Sequence, residues 1–228
     1  MDETRAARIA AVAALEEPTR RRLYEYVVRQ AAPVTRDEAA AELGLARATA
    51  AFHLDRLADE GLLAVVFERR TGRSGPGAGR PSKLYCRSDR QIEVSLPDRR
   101  YELAGRLLAA AIEDNEATGE PSGAALNRRA RQLGSQLAAG RTVATGSGEV
   151  LRILEEHGFE PRVQVDEIVL GNCPFHALAQ QHTTLVCAMN LCLIEGLLTG
   201  LHATELQARL EPEPGQCCVR LTRSPASS

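Results

Sequence analysis

The strongest constraint in the sequence is a pair of short predicted helices joined by a glycine turn. Thr35 and Glu38 have the spacing of a capping box, in which each side chain binds the backbone N–H of the other residue, so the first helix is predicted to begin there. Gly44 ends that helix, and a second one is predicted over 46–60, ending at Gly61. Two helices with so tight a connection predict a helix-turn-helix unit.

A helix before this pair and two strands after it predict a larger domain. The helix covers Glu17–Arg29, and the strands cover Leu62–Arg69 and Lys83–Arg87. The loop between the strands, residues 70–82, is rich in glycine and arginine, so it is predicted to project from the domain as a wing. The sequence therefore predicts a winged helix-turn-helix domain over residues 1–92.

Positive charge is concentrated in this part of a chain that is close to neutral overall. The chain has 228 residues and a formal net charge of −2, yet residues 69–90 carry seven Lys and Arg side chains and one acid, Asp89. A local basic strip of this kind indicates contact with a polyanion at one surface. We therefore predict that the domain binds double-stranded DNA, with the second helix in the major groove and the wing on the backbone or in the minor groove.

The predicted DNA contacts come from the second helix, from the start of the first helix and from the wing. Leu54 and Leu57 belong to the inward apolar side of the second helix, which leaves short and cationic side chains on the outward side. His53 is ambiguous, because its place beside Leu54 also suits a packed or phosphate-contacting side chain, and Phe52 is interpreted as structural. The predicted contacts are Thr35, Arg47, Thr49, Ala51, His53, Arg56, Arg73, Arg80 and Lys83.

Several segments of this half resemble a known family. EEPTRRRLYEYV, TRDEAAAELGLARATAAFHLDRLADEGLL and GAGRPSKLY are similar, in this order, to the bacterial ArsR-like winged-helix regulators, and the resemblance covers residues 16–86. It implies a homodimer that binds a palindromic operator, with one recognition helix per half-site in successive major grooves.

The second half of the chain predicts a helical region followed by a mixed domain. Helices are predicted over 97–114, 124–138, 148–158 and 184–201, and short strands over 162–165, 167–170, 205–210 and 216–222. The first of these helices can either pair across a dimer axis or pack within its own domain. We predict an α+β chain in which a helical linker or dimerisation region, 93–145, is followed by an effector domain with a small antiparallel sheet, 146–228.

Nothing in the sequence predicts a membrane protein. The N-terminal residues lack the apolar segment of a signal peptide, and the longest apolar run, Leu185–Leu201, is interrupted by Asn190 and Glu195. We therefore expect a cytoplasmic protein. Since a reducing cytoplasm disfavours structural disulfides, clustered cysteines there favour metal binding or redox chemistry.

Five of the six cysteines lie in the second half of the chain, and Cys86 lies in the first. Cys173, Cys187 and Cys218 are the predicted ligands, because thiolates suit zinc and iron–sulfur clusters. Strand alternation is expected to turn Cys217 to the face opposite Cys218, as a buried and inert thiol. Cys192, five residues beyond Cys187, lies too far around a helix to share its metal. The opposing interpretation is that these cysteines are simply packed as small apolar side chains.

The cysteine segments also resemble a known family. CPFHALAQQHTTLVC, followed at a distance by CVRL, is similar to the effector domain of the Suf-operon repressor family of winged-helix iron–sulfur sensors, over roughly residues 148–223. The resemblance implies that Cys173, Cys187 and Cys218 hold an iron–sulfur cluster. The Cys173–Cys187 spacing is one residue longer than in that pattern, and a further cysteine expected before CVRL has no counterpart at 210–212. His176, His182, a nearby carboxylate or a small molecule would then complete the site.

Three alternatives remain for the second half. Cys173, His176, Cys187 and Cys218 can form a tetrahedral zinc site, or a small organic ligand can be the effector. Cys173 near His176 or His182 also suits a thiol nucleophile, but no phosphate-binding loop, nucleophile elbow or paired-carboxylate motif accompanies it, so no enzyme is predicted. The leading hypothesis is a dimeric repressor or activator whose cysteine site reports iron–sulfur or redox status and thereby changes operator binding.

Overall fold

The computed structural model describes residues 5–68, 81–141, 147–213 and 215–223. The chain divides into two units, Met1–Val94 and Ser95–Ser228, and each has its own hydrophobic core. Helices together with small antiparallel sheets confirm the predicted α+β class. The wing residues Arg73 and Arg80 lie outside the described residues.

The first unit contains the predicted helix-turn-helix and its strands. Its elements are α1 (Arg5–Ala13), one 3₁₀ turn (Ala14–Glu16), α2 (Pro18–Val28), β1 (Val34–Thr35), α3 (Arg36–Leu43), α4 (Arg47–Asp59), β2 (Leu63–Glu68) and β3 (Ser82–Arg87). The strands form an antiparallel sheet in the order β1-β3-β2. Sequence patterning missed α1, since this short alanine-rich helix buries only Ala11, and it missed β1, which is two residues long.

The helix ends of the first unit are determined by local capping. The Glu17 side chain accepts hydrogen bonds from the first free N–H groups of α2, at 3.0 Å from Thr19 and 2.6 Å from Arg20. The predicted capping box at the start of α3 is present, with Glu38 N donating to Thr35 Oγ1 at 3.1 Å and Thr35 N donating to Glu38 Oε2 at 2.7 Å. These caps hold the ends of α2 and α3, on which α4 packs.

The second unit places helices on a second antiparallel sheet. Its elements are α5 (Tyr101–Thr118), α6 (Ser122–Ala138), α7 (Gly148–Glu156), β4 (Pro161–Val163), β5 (Glu167–Leu170), α8 (His176–Gln181), α9 (Thr183–Gly200), β6 (Leu206–Leu210) and β7 (Val219–Arg223). The strand order is β4-β5-β7-β6. The segment 93–145 was predicted as a helical linker or dimerisation region; within it, α5 and α6 contribute buried side chains such as Leu107 and Leu126 to this core.

Helix α9 is the central element of the second unit. Two glycines let it approach α6 closely: a Cβ on Gly196 would overlap the carbonyl oxygen of Arg131, and one on Gly134 would lie 2.7 Å from Leu197 N. By length and composition α9 could cross a membrane, but 56% of it is buried inside the unit, as expected for a core helix. It is therefore weak evidence for a membrane span.

Candidate functional site

Helix α4 has one buried side and one exposed side, as a recognition helix requires. Ala50, Leu54 and Leu57 are fully buried against the rest of the first unit. At about 100° per residue, Phe52 lies almost directly opposite this seam. Gly44, with φ 65°, terminates α3 in the left-handed conformation and so produces the sharp turn into α4.

Every predicted cation that the structure describes in this region is paired with a carboxylate. Arg47 Nε lies 2.5 Å from Asp37 Oδ1 on α3, and Arg56 Nη2 lies 2.5 Å from Glu60 Oε1. Lys83 Nζ on β3 lies 2.5 Å from Oδ1 of Asp55 on α4. Exposed pairs of this kind are each worth only ~0.2–1 kcal/mol, so a DNA phosphate can replace the carboxylate as the partner.

Asp55 connects α4 to β3. Its Oδ1 also accepts a hydrogen bond from the hydroxyl of Tyr85, at 2.6 Å, and Tyr85 is almost completely buried. Burial and this hydrogen bond raise the pKa of Tyr85, while the hydrogen bonds from Lys83 and Tyr85 overcome burial and lower the pKa of Asp55. The carboxylate thus holds α4 and β3 in one arrangement.

The other predicted DNA contacts of the first unit differ in exposure. Thr49 is exposed and Ala51 half-buried on α4. The hydroxyl of Thr35 is engaged in the capping box of α3. His53 is half-buried, with Nδ1 3.6 Å from Glu17 Oε2, so its ring packs toward α2. Of these residues, Thr49 is the one whose side chain is most available to a ligand.

Phe52 has a different environment from the one predicted. It was interpreted as structural, but 65% of it is exposed, and its ring meets the His53 ring edge-on at a centroid distance of 5.2 Å. The reason is helical phase: packing uses Ala50, Leu54 and Leu57, which turns Phe52 outward. Helical periodicity alone, applied to every residue of α4, could have identified this position.

In the second unit, four cysteines from three separated segments lie against one another. Cys173 follows β5, Cys187 lies in the second turn of α9, and Cys217 and Cys218 directly precede β7. Pairing between β5 and β7 continues beyond the strands through Cys217 N, which donates to Leu170 O at 2.9 Å. The sheet therefore brings the two ends of the cluster together, and α9 adds Cys187. All four are buried.

Hydrogen bonds within this thiol cluster make its members unequal. Hydrogen bonding with Cys217 lowers the pKa of Cys173 and lowers that of Cys218 to about 6, and the same interactions raise the pKa of Cys217 well above its usual range. Burial raises the pKa of Cys187 to about 12. The buried Asn190 amide adds a hydrogen bond to Cys217 Sγ, at 3.2 Å. The surroundings of Cys173 and Cys218 therefore favour the thiolate form relative to those of Cys187 and Cys217.

The structure buries Cys217, as predicted, and also places it in the thiol cluster, which was not predicted. Strand β7 begins at Val219, so Cys217 and Cys218 precede the regular alternation that was expected to separate them. Cys217 is the most buried of the four thiols, but it contacts both Cys173 and Cys218 and is part of the cluster. Sequence reasoning also missed Asn190, although a lone amide within an apolar helix was a visible signal.

The remaining candidate ligands lie elsewhere. His176 is exposed at the start of α8, where its backbone N–H donates to Cys173 O at 3.1 Å, and none of the thiol contacts in the described chain involves its ring. Cys192 is buried away from the cluster and accepts a hydrogen bond from Arg131 at 3.3 Å. Cys86 lies in the first unit. The donor set brought together is therefore all cysteine.

Comparison with known proteins supports the first unit. A family described as a helix-turn-helix domain matches residues 15–66, which include α2, α3 and α4. This match supports a DNA-binding transcriptional regulator of the winged helix-turn-helix type. No curated protein and no solved structure matches the chain.

Proposed function

We propose that this protein is a transcriptional regulator that senses iron–sulfur or redox status through Cys173, Cys187, Cys217 and Cys218. The observation that carries the proposal is the thiol cluster itself: four buried cysteines from three segments meet in a chain whose other unit contains a helix-turn-helix. Such an arrangement forms only when the second unit folds, so a ligand held by all four cysteines would stabilise one conformation of it.

For DNA binding, α4 enters the major groove and the wing contacts the backbone. Arg47, Thr49, Ala51 and Arg56 lie on or beside the accessible part of α4, and Lys83 begins the strand that returns from the wing. Arg73 and Arg80, in the wing, add cations for phosphate or minor-groove contact. Binding replaces the carboxylate partners of Arg47, Arg56 and Lys83 by phosphate oxygens.

The four cysteines fit an iron–sulfur cluster or zinc in donor type, number and burial. Their sulfurs, however, are arranged as hydrogen-bonding partners, and within the described residues no three or more Cys, His, Asp or Glu side chains have the geometry of a metal site. Cys173, Cys187, Cys217 and Cys218 would hold the group after a local adjustment of the sulfurs. When bound, it supplies redox or oxygen sensitivity.

The chain's own contacts connect the thiol cluster to the start of α5. The Arg99 guanidinium donates to Asn172 Oδ1 and to Cys173 O, the latter at 3.3 Å. Asn172 Nδ2 donates to Asp98 O at 2.9 Å, and Arg100 N donates to Pro174 O at 3.0 Å. Residues 98–100 directly follow the segment that joins the two units, so a movement of the Cys173 loop would be passed to that segment.

A homodimer on a palindromic operator is the assembly we propose. Two copies of α4 then lie in successive major grooves, and the state of the thiol cluster changes their spacing. The change in operator affinity is then set by the difference in DNA-binding free energy between the two states of the thiol cluster.

Metal analysis tests the sensing part. After anaerobic reconstitution with iron and sulfide, the full chain should absorb visible light and contain both elements, and Cys173→Ser, Cys187→Ser, Cys217→Ser and Cys218→Ser should each lower the iron content strongly. Cys192→Ser is the matched control, since Cys192 is buried on α9 but outside the cluster, and it should retain iron. A colourless, iron-free wild-type protein would overturn the iron–sulfur proposal.

A second candidate function keeps the DNA-binding unit but replaces the cluster by zinc or by a small organic effector. Zinc suits the same four thiols. For an organic effector, the second unit has a cavity of about 540 Å³ beside β5 and the end of α9, with Val150, Ile168 and Leu206 among its apolar lining residues. Elemental analysis of the protein as purified separates zinc from iron.

A further inference from the structure

Phe52 is the largest apolar side chain exposed on the outward face of α4. It lies opposite the buried seam and is 65% exposed. Single exposed apolar side chains are common on protein surfaces and by themselves mean little. Phe52 differs in its location, because it occupies the middle of the face that the proposed DNA contact would turn toward the bases.

The neighbours of Phe52 leave its ring free on one side and supported on the other. Ala48 and Thr49, one turn earlier, are short and exposed, so the helix backbone can come close to the floor of a groove. On the supported side the ring contacts His53, whose Nδ1 lies 3.6 Å from Glu17. An aromatic ring held in this way loses little further freedom on binding.

The two acidic residues of α4, Asp55 and Asp59, do not prevent Phe52 from approaching the DNA bases. Asp55 is engaged by Lys83 and Tyr85, and Asp59 is the last residue of α4. Base contacts in helix-turn-helix proteins come mainly from the N-terminal part of the recognition helix, to which Phe52 belongs and Asp59 does not.

A phenyl ring cannot donate or accept a conventional hydrogen bond, so it cannot recognise the polar edges of guanine, cytosine or adenine. The one apolar group that a base pair presents in the major groove is the 5-methyl group of thymine. We propose that Phe52 is a specificity-determining residue that selects thymine by contact with this methyl group. The inference rests on the proposed DNA-binding function and adds a base preference to it.

Uracil substitution tests this contact directly, because uracil lacks only the 5-methyl group. The full chain is used to select duplexes from a random-sequence pool, and each thymine of the selected duplex is then replaced in turn by uracil. For the wild type, one position in each half-site should lose affinity by about fourfold, the factor that corresponds to burying one methyl group. Phe52→Ala should bind the thymine duplex more weakly and should not distinguish uracil from thymine there.

Phe67 provides the matched control. It is 64% exposed in the same unit, but it lies on β2, paired with Lys83. Phe67→Ala should therefore retain the preference for thymine over uracil. The inference is overturned if no thymine position affects wild-type binding, or if Phe52→Ala discriminates as the wild type does. If the wild-type chain selects no duplex at all, the DNA-binding proposal fails first, which is a distinct result.

Discussion

At the scale of single residues, Asp55 shows how one carboxylate can serve both the fold and the DNA surface. It accepts from the buried Tyr85 hydroxyl and pairs with the exposed Lys83 amine. Removing the Asp55 acceptor oxygen would leave the buried Tyr85 hydroxyl without a hydrogen-bond partner, which would lower the free energy of unfolding by ~1–3 kcal/mol. Removing only the charge would keep that hydrogen bond and release Lys83.

We therefore predict that Asp55→Asn binds duplex DNA more tightly than the wild type. The amide oxygen still accepts from Tyr85, whereas Lys83 no longer has to leave a carboxylate partner to reach a phosphate. Since an exposed ion pair is worth ~0.2–1 kcal/mol, affinity should rise by up to about fivefold, while the slope of log affinity against log salt stays the same because the number of phosphate contacts does not change. Gel-shift or anisotropy titrations measure the affinity. Asp59→Asn removes the same charge from the same helix without freeing Lys83, and an equal gain in affinity in both variants would contradict this prediction.

The sequence predicts some residues of the fold and the candidate site in detail and others only in part. Both hydrogen bonds of the capping box at Thr35 and Glu38 were predicted correctly, because this motif depends only on spacing along the chain. Three of the four clustered cysteines were found as candidate ligands, but Cys217 was assigned as inert. That assignment depended on where β7 begins. The end of a strand is determined by hydrogen-bond pairing across the sheet, and residue spacing along the chain does not reveal where that pairing stops.

At the scale of elements, the contact between α6 and α9 determines how the second unit is built. Gly134 on α6 and Gly196 on α9 allow backbone-to-backbone approach, so that α9 packs closely on α6 and still carries Cys187 to the sheet. A side chain at Gly196 would meet the backbone of Arg131, which cannot move without displacing the helix.

Gly196→Ala is predicted to destabilise the protein. Overpacking of a well-packed contact typically costs ~1–3 kcal/mol, and here the obstacle is backbone. Gly105→Ala, within α5, is the control: no heavy atom lies within 4 Å of the added Cβ, so helix propensity should leave stability unchanged or raised by ~0.5–1 kcal/mol. Urea unfolding of both variants measures the difference, and equal midpoints would be evidence against the close approach.

Elements with strong periodic patterns were predicted well, and short or context-dependent ones were not. The α4 and α9 helices were predicted to within about a residue, because each has a long apolar pattern and clear ends. The short helices α1 and α8 were missed, since α1 has nine residues and buries only Ala11, and α8 has six residues and buries none. The grouping of α5 and α6 with the second core depends on tertiary contacts and could not be derived from local sequence.

At the scale of the whole molecule, the proposed response depends on the hydrogen bonds between the Cys173 loop and residues 98–100. Asn172 is buried and links Asp98 O to Gly158 O, so the loop, the end of α7 and the entry to α5 are held together. A change at the thiols therefore has a short, hydrogen-bonded route to the segment that leads to the DNA-binding unit. Coupling of this kind typically alters affinity by about 5–150-fold.

The most direct test of the central claim is the DNA affinity of one protein in two states of its thiol cluster. The duplex selected by the wild-type chain is titrated anaerobically with reconstituted protein and with protein stripped by a chelator, using wild type, Cys217→Ser and Cys192→Ser. We predict that affinity differs between the two states by about fivefold or more for wild type and Cys192→Ser, and does not differ for Cys217→Ser. Equal affinities of the two wild-type states, or a full response in Cys217→Ser, would contradict it.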